Sequence, residues 1–429
     1  MGNQFIIDNK ITDEFVETYA KATYRIVGEN KHSAIKPCYW LEQKLMTGRE
    51  NRNCYKGVFG VESHRCMQNS PSLPYCTHQC VFCWRDIENG TLGNEFTIEP
   101  DDPKILAEEM IYHHQDVIKN QLPLKRFLDN YEIMIDILYY MLLNGKKHSI
   151  ASISNNIHVS KNKVQRAINL LKNQEFIEPI DDSFQLYKIC KDIKHCINTR
   201  EEIELLLERE LTTPDEIMQA YNEAMNPNHA AISLDGEPLL YPKMSGLIEE
   251  FKKRNMTTFI VSNGTLPEKI KHLDPLPSQL YLTLPAPNEK IYQVVCRPTI
   301  KNGWQNIMNS IDLVESLSCR TLIRLTAVKN LNINEQFINE YVKIIEKANP
   351  NFFEIKGFTL QAKALSINDR LKNQFPLQHY FPEYEYLEKI ALRFQEMGNF
   401  PLIYKNKVSR DFLFAVNWDK NKDPKIVRP

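Results

Sequence analysis

Cys76, Cys80 and Cys83 form a Cys-x3-Cys-x2-Cys run closed by Trp84 and Arg85. Three thiolates are one short of the four ligands that an iron–sulfur cube needs, so a cluster held here keeps one iron free to bind something else. Two other readings fit three cysteines. Structural zinc takes four protein ligands, usually as paired Cys-x2-Cys or histidines, and His78 lies inside the x3 loop, where it would strain such a chelate. Cysteines also occur as small buried hydrophobes. A second triplet, Cys38, Cys54 and Cys66, is spaced too widely for one chelating loop, but a long segment folded over the mouth of a barrel brings such residues together. It too would leave an iron open.

Further along, Asp235-Gly236-Glu237-Pro238, Ser262-Asn263-Gly264-Thr265 and Thr283-Leu284-Pro285 follow in order, and the segment from Gly90 to Pro103 follows the first cysteine run. In these segments the chain resembles the radical S-adenosylmethionine enzymes and, among them, the archaeal tRNA 4-demethylwyosine synthase family. The resemblance spans roughly residues 30–115 and 205–365. The chain departs from it at Pro285, where the family usually carries an aspartate, and over 358–379, which matches the family's substrate-lining stretch only loosely.

The resemblance implies two 4Fe-4S clusters. Cys76, Cys80 and Cys83 would hold the one that cleaves S-adenosylmethionine, and Cys38, Cys54 and Cys66 an auxiliary one. Cofactor contacts are implied for Asp235, Gly236, Glu237, Ser262, Asn263, Thr283 and Arg324. Gly236 lets backbone approach the ligand, since it carries no side chain. Glu237 accepts the ammonium, Ser262, Asn263 and Thr283 reach carboxylate or ribose, and Arg324 reaches the carboxylate. The family's reaction condenses N1-methylguanosine, at position 37 beside the anticodon of tRNA-Phe, with pyruvate. A 5′-deoxyadenosyl radical takes hydrogen from the N-methyl group, the carbon radical adds to pyruvate, one carbon is lost and ring closure gives 4-demethylwyosine. This is a carbon–carbon lyase, fed by a reductant such as flavodoxin or ferredoxin. The target base has to leave its stack to reach a buried cluster, and Lys36, Arg49, Arg52 and Arg85 are expected to hold the anticodon-loop backbone. In Cys54-Tyr55-Lys56 the catalytic candidate is Lys56, where the family's proposed Schiff base with pyruvate falls. A lysine becomes nucleophilic when desolvation or nearby positive charge lowers its pKa. The alternatives are pyruvate bound directly to the open iron, or a surface lysine that merely follows a cluster ligand.

The elements that must position these residues are legible in outline. Apolar runs at 230–234, 257–261, 279–284, 322–328 and 352–359 read as buried strands, separated by helical stretches such as 244–255 and 335–347. That rhythm predicts βα units and a parallel sheet covered on both faces. The fold class is α/β, and the resemblance makes it a partial (βα)6 radical SAM barrel with its active site at the C-terminal ends of the strands. The cluster loop then follows strand one, the Asp235 motif strand two and the Ser262 motif strand three. The expected domains are an N-terminal extension (1–70) carrying the auxiliary cysteines, the barrel with its C-terminal extension (71–115 and 206–429), and an insertion (116–205). In the insertion, helices at 131–144, 150–156 and 161–173 precede strands at 176–180 and 184–188 around Asp181-Asp182-Ser183, the layout of a winged helix-turn-helix. Lys161, Lys163 and Arg166 on the third helix suit nucleic-acid docking. A protein-interaction module with an ordinary solvated face fits the same pattern.

The 429 residues allow two or three domains, and their formal net charge of −1 requires any RNA to be met by a local basic patch. Six of the ten cysteines crowd residues 38–83, which suits metal binding in a reducing compartment. Cys190, Cys196, Cys296 and Cys319 read as ordinary buried thiols. The longest apolar stretch, 135–143, is far short of a membrane span. No signal or myristoylation pattern opens the chain, so a cytoplasmic monomer is expected. Two alternatives remain: a radical SAM enzyme with another substrate, or an iron–sulfur winged-helix regulator that binds nucleic acid and senses redox state.

Overall fold

The computed structural model describes residues 5–8, 10–47, 54–145, 147–180, 186–190, 194, 197–211, 213–419 and 421–425. Arg49, Arg52, Cys196 and the turn at Asp181-Asp182-Ser183 lie outside the described residues. The chain divides into two compact units: residues 1–38, 54–114 and 227–429 form the first, and 39–53 with 115–226 form the second.

In the first unit, Ile6–Ile7 (β1) and Lys10–Ile11 (β2) make a small hairpin. Arg25–Val27 (β3), Ser33–Ile35 (β4) and Cys66–Ser70 (β5) lead into the main sheet. The second unit contributes His148–Ser149 (β6), Ile177–Pro179 (β7) and Leu186–Ile189 (β8). The main sheet then continues through His229–Ile232 (β9), Thr257–Ser262 (β10), Gln279–Thr283 (β11), Arg320–Ala327 (β12) and Phe352–Gly357 (β13). Leu402–Asn406 (β14) and Asp411–Ala415 (β15) complete it.

Six of these strands, β5-β9-β10-β11-β12-β13, are parallel neighbours, the arrangement expected of a partial (βα)6 barrel. Their side chains alternate between two cores, as the two-residue period of a strand requires. Ala231, Phe259, Tyr281, Leu322 and Phe352 pack on one face. Ile323, Leu325, Phe353 and Ile355 pack on the other, against helices that include Glu289–Cys296, Gly303–Leu313, Ile338–Ala348 and Tyr384–Gly398. Antiparallel strands flank both ends: β15 and β14 beside β13, β4 and β3 beside β5. The first barrel strand, β5, therefore lies within residues 66–70, and Cys66 opens it.

In the second unit the helices Leu124–Asn144, Ile150–Asn156 and Lys161–Asn173 surround a core of Ile137, Leu138, Ile153, Val164, Ile168 and Leu171. β6, β8 and β7 form a three-stranded antiparallel sheet. The helices Tyr39–Thr47, Arg200–Glu210 and Pro214–Ala224 belong to this unit as well, and Arg126 Nη2 donates to Glu42 Oε1 at 2.6 Å. Lys161 is exposed, but Lys163 is half-buried and paired with Asp129 at 3.0 Å. Arg166 is half-buried with its Nε atom sealed from solvent. The three cations thus do not form the uniformly solvated face expected of them. Among the described residues no helix is long and apolar enough to cross a membrane.

Candidate active site

The loop after β5 carries Cys76, Cys80 and Cys83 and is fastened to the loop after β9. Ser70 Oγ donates to Asp235 O at 2.6 Å, Ser72 Oγ to Glu237 O at 2.7 Å, and the Glu237 N–H to Tyr75 O at 2.8 Å. Gly236 sits between them at φ +73°, where a Cβ would fall 2.3 Å from Ser72 O and 2.7 Å from Tyr75 O. Its missing side chain therefore admits the backbone of the cluster loop. Arg370, buried in the helix Ile367–Leu371, grips the same loop from the other side. Its guanidinium donates to Cys83 O at 2.6 Å and to Arg85 O at 3.1 Å, and pairs with Glu88 at 2.9 Å.

The three thiols line one cavity of about 370 Å³ together with Asp235, Gly236, Glu237, Ser262, Asn263, Thr283 and Arg324. All seven expected cofactor-binding residues thus reach this cavity, with two qualifications. The Glu237 carboxylate accepts from Ser262 Oγ (2.9 Å) and from the backbone N–H groups of Asn263 (2.7 Å) and Leu239 (3.1 Å). Ser262 is thereby committed to Glu237. Asn263 Nδ2 turns to Thr77 Oγ1 (2.8 Å) and approaches Cys76 Sγ (3.9 Å), so its amide serves the cluster loop. Burial pushes Glu237 up to about 7 against those three hydrogen bonds. Burial also raises Asp235 to about 6, opposed by Arg85, by the Tyr24 hydroxyl that donates to it at 2.7 Å, and by Lys36.

The triplet fits a cluster by its chemistry. Burial pushes Cys83 up to about 11 and Cys76 to about 12. Cys80 is raised further, first by a hydrogen bond with Cys296 and then by burial. Buried thiols of this kind are poor metal-free anions, and metal binding deprotonates such ligands. Arg85 lies buried among them, its charge opposed by burial and more than restored by Cys76 and Cys83, and it donates to Leu73 O at 3.3 Å. Its charge is thus turned to the cluster cysteines, and Arg85 also lines a neighbouring cavity beside Tyr24 and Lys36. His78 meets Tyr292 OH at 2.8 Å, and burial holds it neutral with its pKa near 3.

Tyr55, the neighbour of Cys54 in the chain, also lines this cavity, as does Arg324. Burial is the first cause that raises the Cys54 thiol, to about 11, and Cys38 contributes to the same rise. Cys66 is likewise raised by burial and then by Cys38 and Cys54. The three are thus electrostatic neighbours. Lys56 is buried beside them, with Nζ 4.8 Å from the centre of the Tyr55 ring. Burial acts to lower its pKa, but Tyr55, Cys54 and Cys66 overcome this and raise it. The expected depression of its pKa is therefore not found, and a solvated surface lysine is excluded. Arg324 donates through Nε to Glu354 (2.6 Å) and through Nη1 to Tyr55 OH (3.2 Å), while its Nη2 is buried without a partner. A second cavity of about 670 Å³ shares the wall formed by Trp84, Arg85 and Asp235. Tyr24 and Lys36 line it, and Lys36 Nζ stands 4.4 Å from the Tyr24 ring and 5.4 Å from that of Trp84.

Residues 194–349 match the Radical SAM superfamily. The S-adenosyl-L-methionine-dependent tRNA 4-demethylwyosine synthase of Pyrococcus horikoshii is 33% identical over 368 residues, covering 84% of this chain and 79% of its own. That of Methanocaldococcus jannaschii is 27% identical over 421 residues, covering 97% of this chain and 100% of its own. Among solved structures, TYW1 with a lysine-pyruvate adduct bound superposes with a TM-score of 0.62 at 23% identity, covering 97% of this chain and 99% of that one. An archaeal TYW1 crystal structure gives 0.56 at 23% identity, with the same coverage of both chains. The fold is thus that of TYW1. The protein uses a 4Fe-4S cluster and S-adenosylmethionine to modify tRNA in wyosine biosynthesis. With one relative a third identical over most of both chains, this chain belongs to the S-adenosyl-L-methionine-dependent tRNA 4-demethylwyosine synthase family.

Proposed function

We propose that this enzyme condenses N1-methylguanosine at position 37 of tRNA-Phe with pyruvate to form 4-demethylwyosine, using two 4Fe-4S clusters that face one cavity. The observation that carries the reading is that Cys76, Cys80 and Cys83 line one 370 Å³ cavity together with Tyr55, the residue between Cys54 and Lys56, and with Arg324. The relative whose structure holds a lysine-pyruvate adduct supports pyruvate as co-substrate. The cluster on Cys76, Cys80 and Cys83, when present, supplies reductive cleavage of S-adenosylmethionine and hence a 5′-deoxyadenosyl radical.

The remaining work falls to this chain's own groups. Glu237, held by Ser262 and the Asn263 N–H, accepts a hydrogen bond from the amino group of S-adenosylmethionine. Thr283 and Asp235 border the same ligand. Arg324 offers its unpartnered Nη2–H to a carboxylate. Its bond to Tyr55, next to Lys56, favours pyruvate over S-adenosylmethionine as the owner of that carboxylate. Lys56 would condense with the pyruvate carbonyl to a Schiff base with loss of water, beside Cys38, Cys54 and Cys66, whose thiols would hold the auxiliary cluster. The cavity bordered by Tyr24, Lys36 and Trp84 admits the anticodon loop beside the radical site, since aromatic faces and a cation suit an unstacked base and its phosphate. The second unit adds phosphate contacts elsewhere on the tRNA, a flavodoxin or ferredoxin supplies electrons, and the enzyme acts as a cytoplasmic monomer.

Nucleoside analysis of tRNA from a host that lacks this protein tests the reading. Loss of the tricyclic base with accumulation of N1-methylguanosine at position 37 is expected. Unchanged tricycle content would overturn it.

A further inference from the structure

Three cations surround the ring of Tyr55. Lys56 Nζ lies 4.8 Å from its centre, the Arg324 guanidinium 4.3 Å and Lys356 Nζ 5.3 Å. Lys356 stands on β13, whose parallel register with β12 sets Glu354 beside Arg324 and Lys356 beside Thr326. Residues two apart on a strand share a face, so Lys356 lies on the face of β13 from which Glu354 meets Arg324 at 2.6 Å. On its other edge β13 pairs antiparallel with β15, which sets Asp411 opposite Lys356. Asp411 is 1% exposed, and Lys356 Nζ lies 2.8 Å from its Oδ1 and donates to Ser409 O at 2.7 Å. A buried carboxylate requires a cation beside it, so Asp411 fixes the ammonium at this point of the strand.

Lys356 and Arg324 both line the 370 Å³ cavity. An ammonium carries three N–H donors, and the two contacts of Lys356 leave at least one for the cavity, while Arg324 keeps Nη2 buried without a partner. Two free donors on neighbouring strands, beside one ring, suit a carboxylate, whose two oxygens accept separately. We propose that Lys356 is a second carboxylate-binding residue for pyruvate: Arg324 Nη2 takes one oxygen and Lys356 Nζ the other. Held at both oxygens, the carboxylate cannot swing, and the carbonyl carbon next to it is turned to Lys56 at the same ring. The co-substrate class that this clamp selects is a 2-oxo acid. An aldehyde or ketone with no carboxylate leaves both donors unpaired, which discriminates against it. S-adenosylmethionine carries a carboxylate too, and the test sets the two ligands apart.

The inference rests on the reading of pyruvate as co-substrate. In full-length reconstituted enzyme, the KM values for pyruvate and for S-adenosylmethionine are measured, together with the Kd of oxamate by isothermal titration. Oxamate has the carboxylate of pyruvate but an amide in place of the ketone, so it reports binding without imine formation. Lys356→Gln should raise the pyruvate KM and the oxamate Kd about tenfold, the loss of one hydrogen bond to a charged group. Lys356→Arg, which keeps a cation beside Asp411, should stay closer to wild type. Because Lys356→Gln leaves the buried Asp411 without its cation, the double variant Lys356→Gln with Asp411→Asn removes both charges and should show the same tenfold rise. Unchanged pyruvate KM and oxamate Kd in the double variant would overturn the proposal. So would a KM for S-adenosylmethionine that rises in step, or equal losses in the Gln and Arg variants, which report packing alone. Failure of the underlying reading would show separately, in the wild type, as product formed without pyruvate and no heat with oxamate.

Discussion

The phenol of Tyr55 accepts a hydrogen bond from Arg324 Nη1 at 3.2 Å, across 269 residues of sequence. The contact joins the segment of the upstream cysteines to β12, the fifth of the six parallel strands, and leaves Nη2 of the same guanidinium buried and unpaired. An uncompensated buried N–H of a charged group costs free energy that a bound carboxylate recovers.

Replacing Arg324 by Gln should therefore raise the KM for pyruvate by about 10- to 100-fold, the factor expected from losing one charge-assisted hydrogen bond of about 1.5–3 kcal/mol. Uncoupled cleavage of S-adenosylmethionine should persist. A KM for S-adenosylmethionine that rises instead would move Arg324 back to the cofactor.

The pH dependence of cofactor binding should report Glu237. Burial places its titration near 7 in the free protein, so the carboxylate that accepts from the amino group is formed above that pH and lost below it. Between about pH 7 and pH 5 the Kd for S-adenosylmethionine should rise, approaching tenfold per unit. In Glu237→Gln, binding should be weaker and nearly flat across the same range. Isothermal titration across that range distinguishes the two profiles, and parallel profiles would remove Glu237 from the binding step.

Gly236→Ala should unseat the cluster loop, because the new methyl collides with Ser72 O and Tyr75 O at a positive φ. Backbone strain of this kind costs about 1–3 kcal/mol. Iron content after reconstitution and Tm should both fall. A fully loaded variant with wild-type Tm would show that the loop has room to move.

These examples mark what the sequence made legible. Strands buried on both faces write themselves as apolar runs, which is why β9, β10 and β11 fall within two residues of expectation. β5 escaped notice because its residues, Cys66-Met-Gln-Asn-Ser70, are chosen as much for tethering the next loop as for packing. The flanking strands β3, β4, β14 and β15 carry no motif and pair antiparallel at the two ends of the sheet. The motifs named the cavity's residues, but their division of labour depended on contacts between distant segments. Arg370 reaches Cys83 across 287 residues, and a lone arginine in a stretch of weak resemblance gives no signal of that reach. Gly236 was legible as a close approach, but only the fold says what approaches.

In the second unit, neutralising Lys161, Lys163 and Arg166 together should weaken tRNA binding and flatten its salt dependence by about two in log–log slope, at about one per phosphate contact. The third cation counts for little because Lys163 is already paired with Asp129. Filter binding across a salt series gives the slope directly. An unchanged slope would make the unit a protein-interaction or structural module.

The central claim is that pyruvate carbon enters the base. Reconstituted enzyme, S-adenosylmethionine and a reductant should be incubated with N1-methylated tRNA-Phe and pyruvate labelled with carbon-13 at C2 and C3, and the digested nucleosides weighed by mass spectrometry. The account predicts a 4-demethylwyosine nucleoside that carries both labelled carbons, formed in the wild type and absent in Cys80→Ala. A tricyclic product without label, or N1-methylguanosine left unchanged while 5′-deoxyadenosine accumulates, would contradict it.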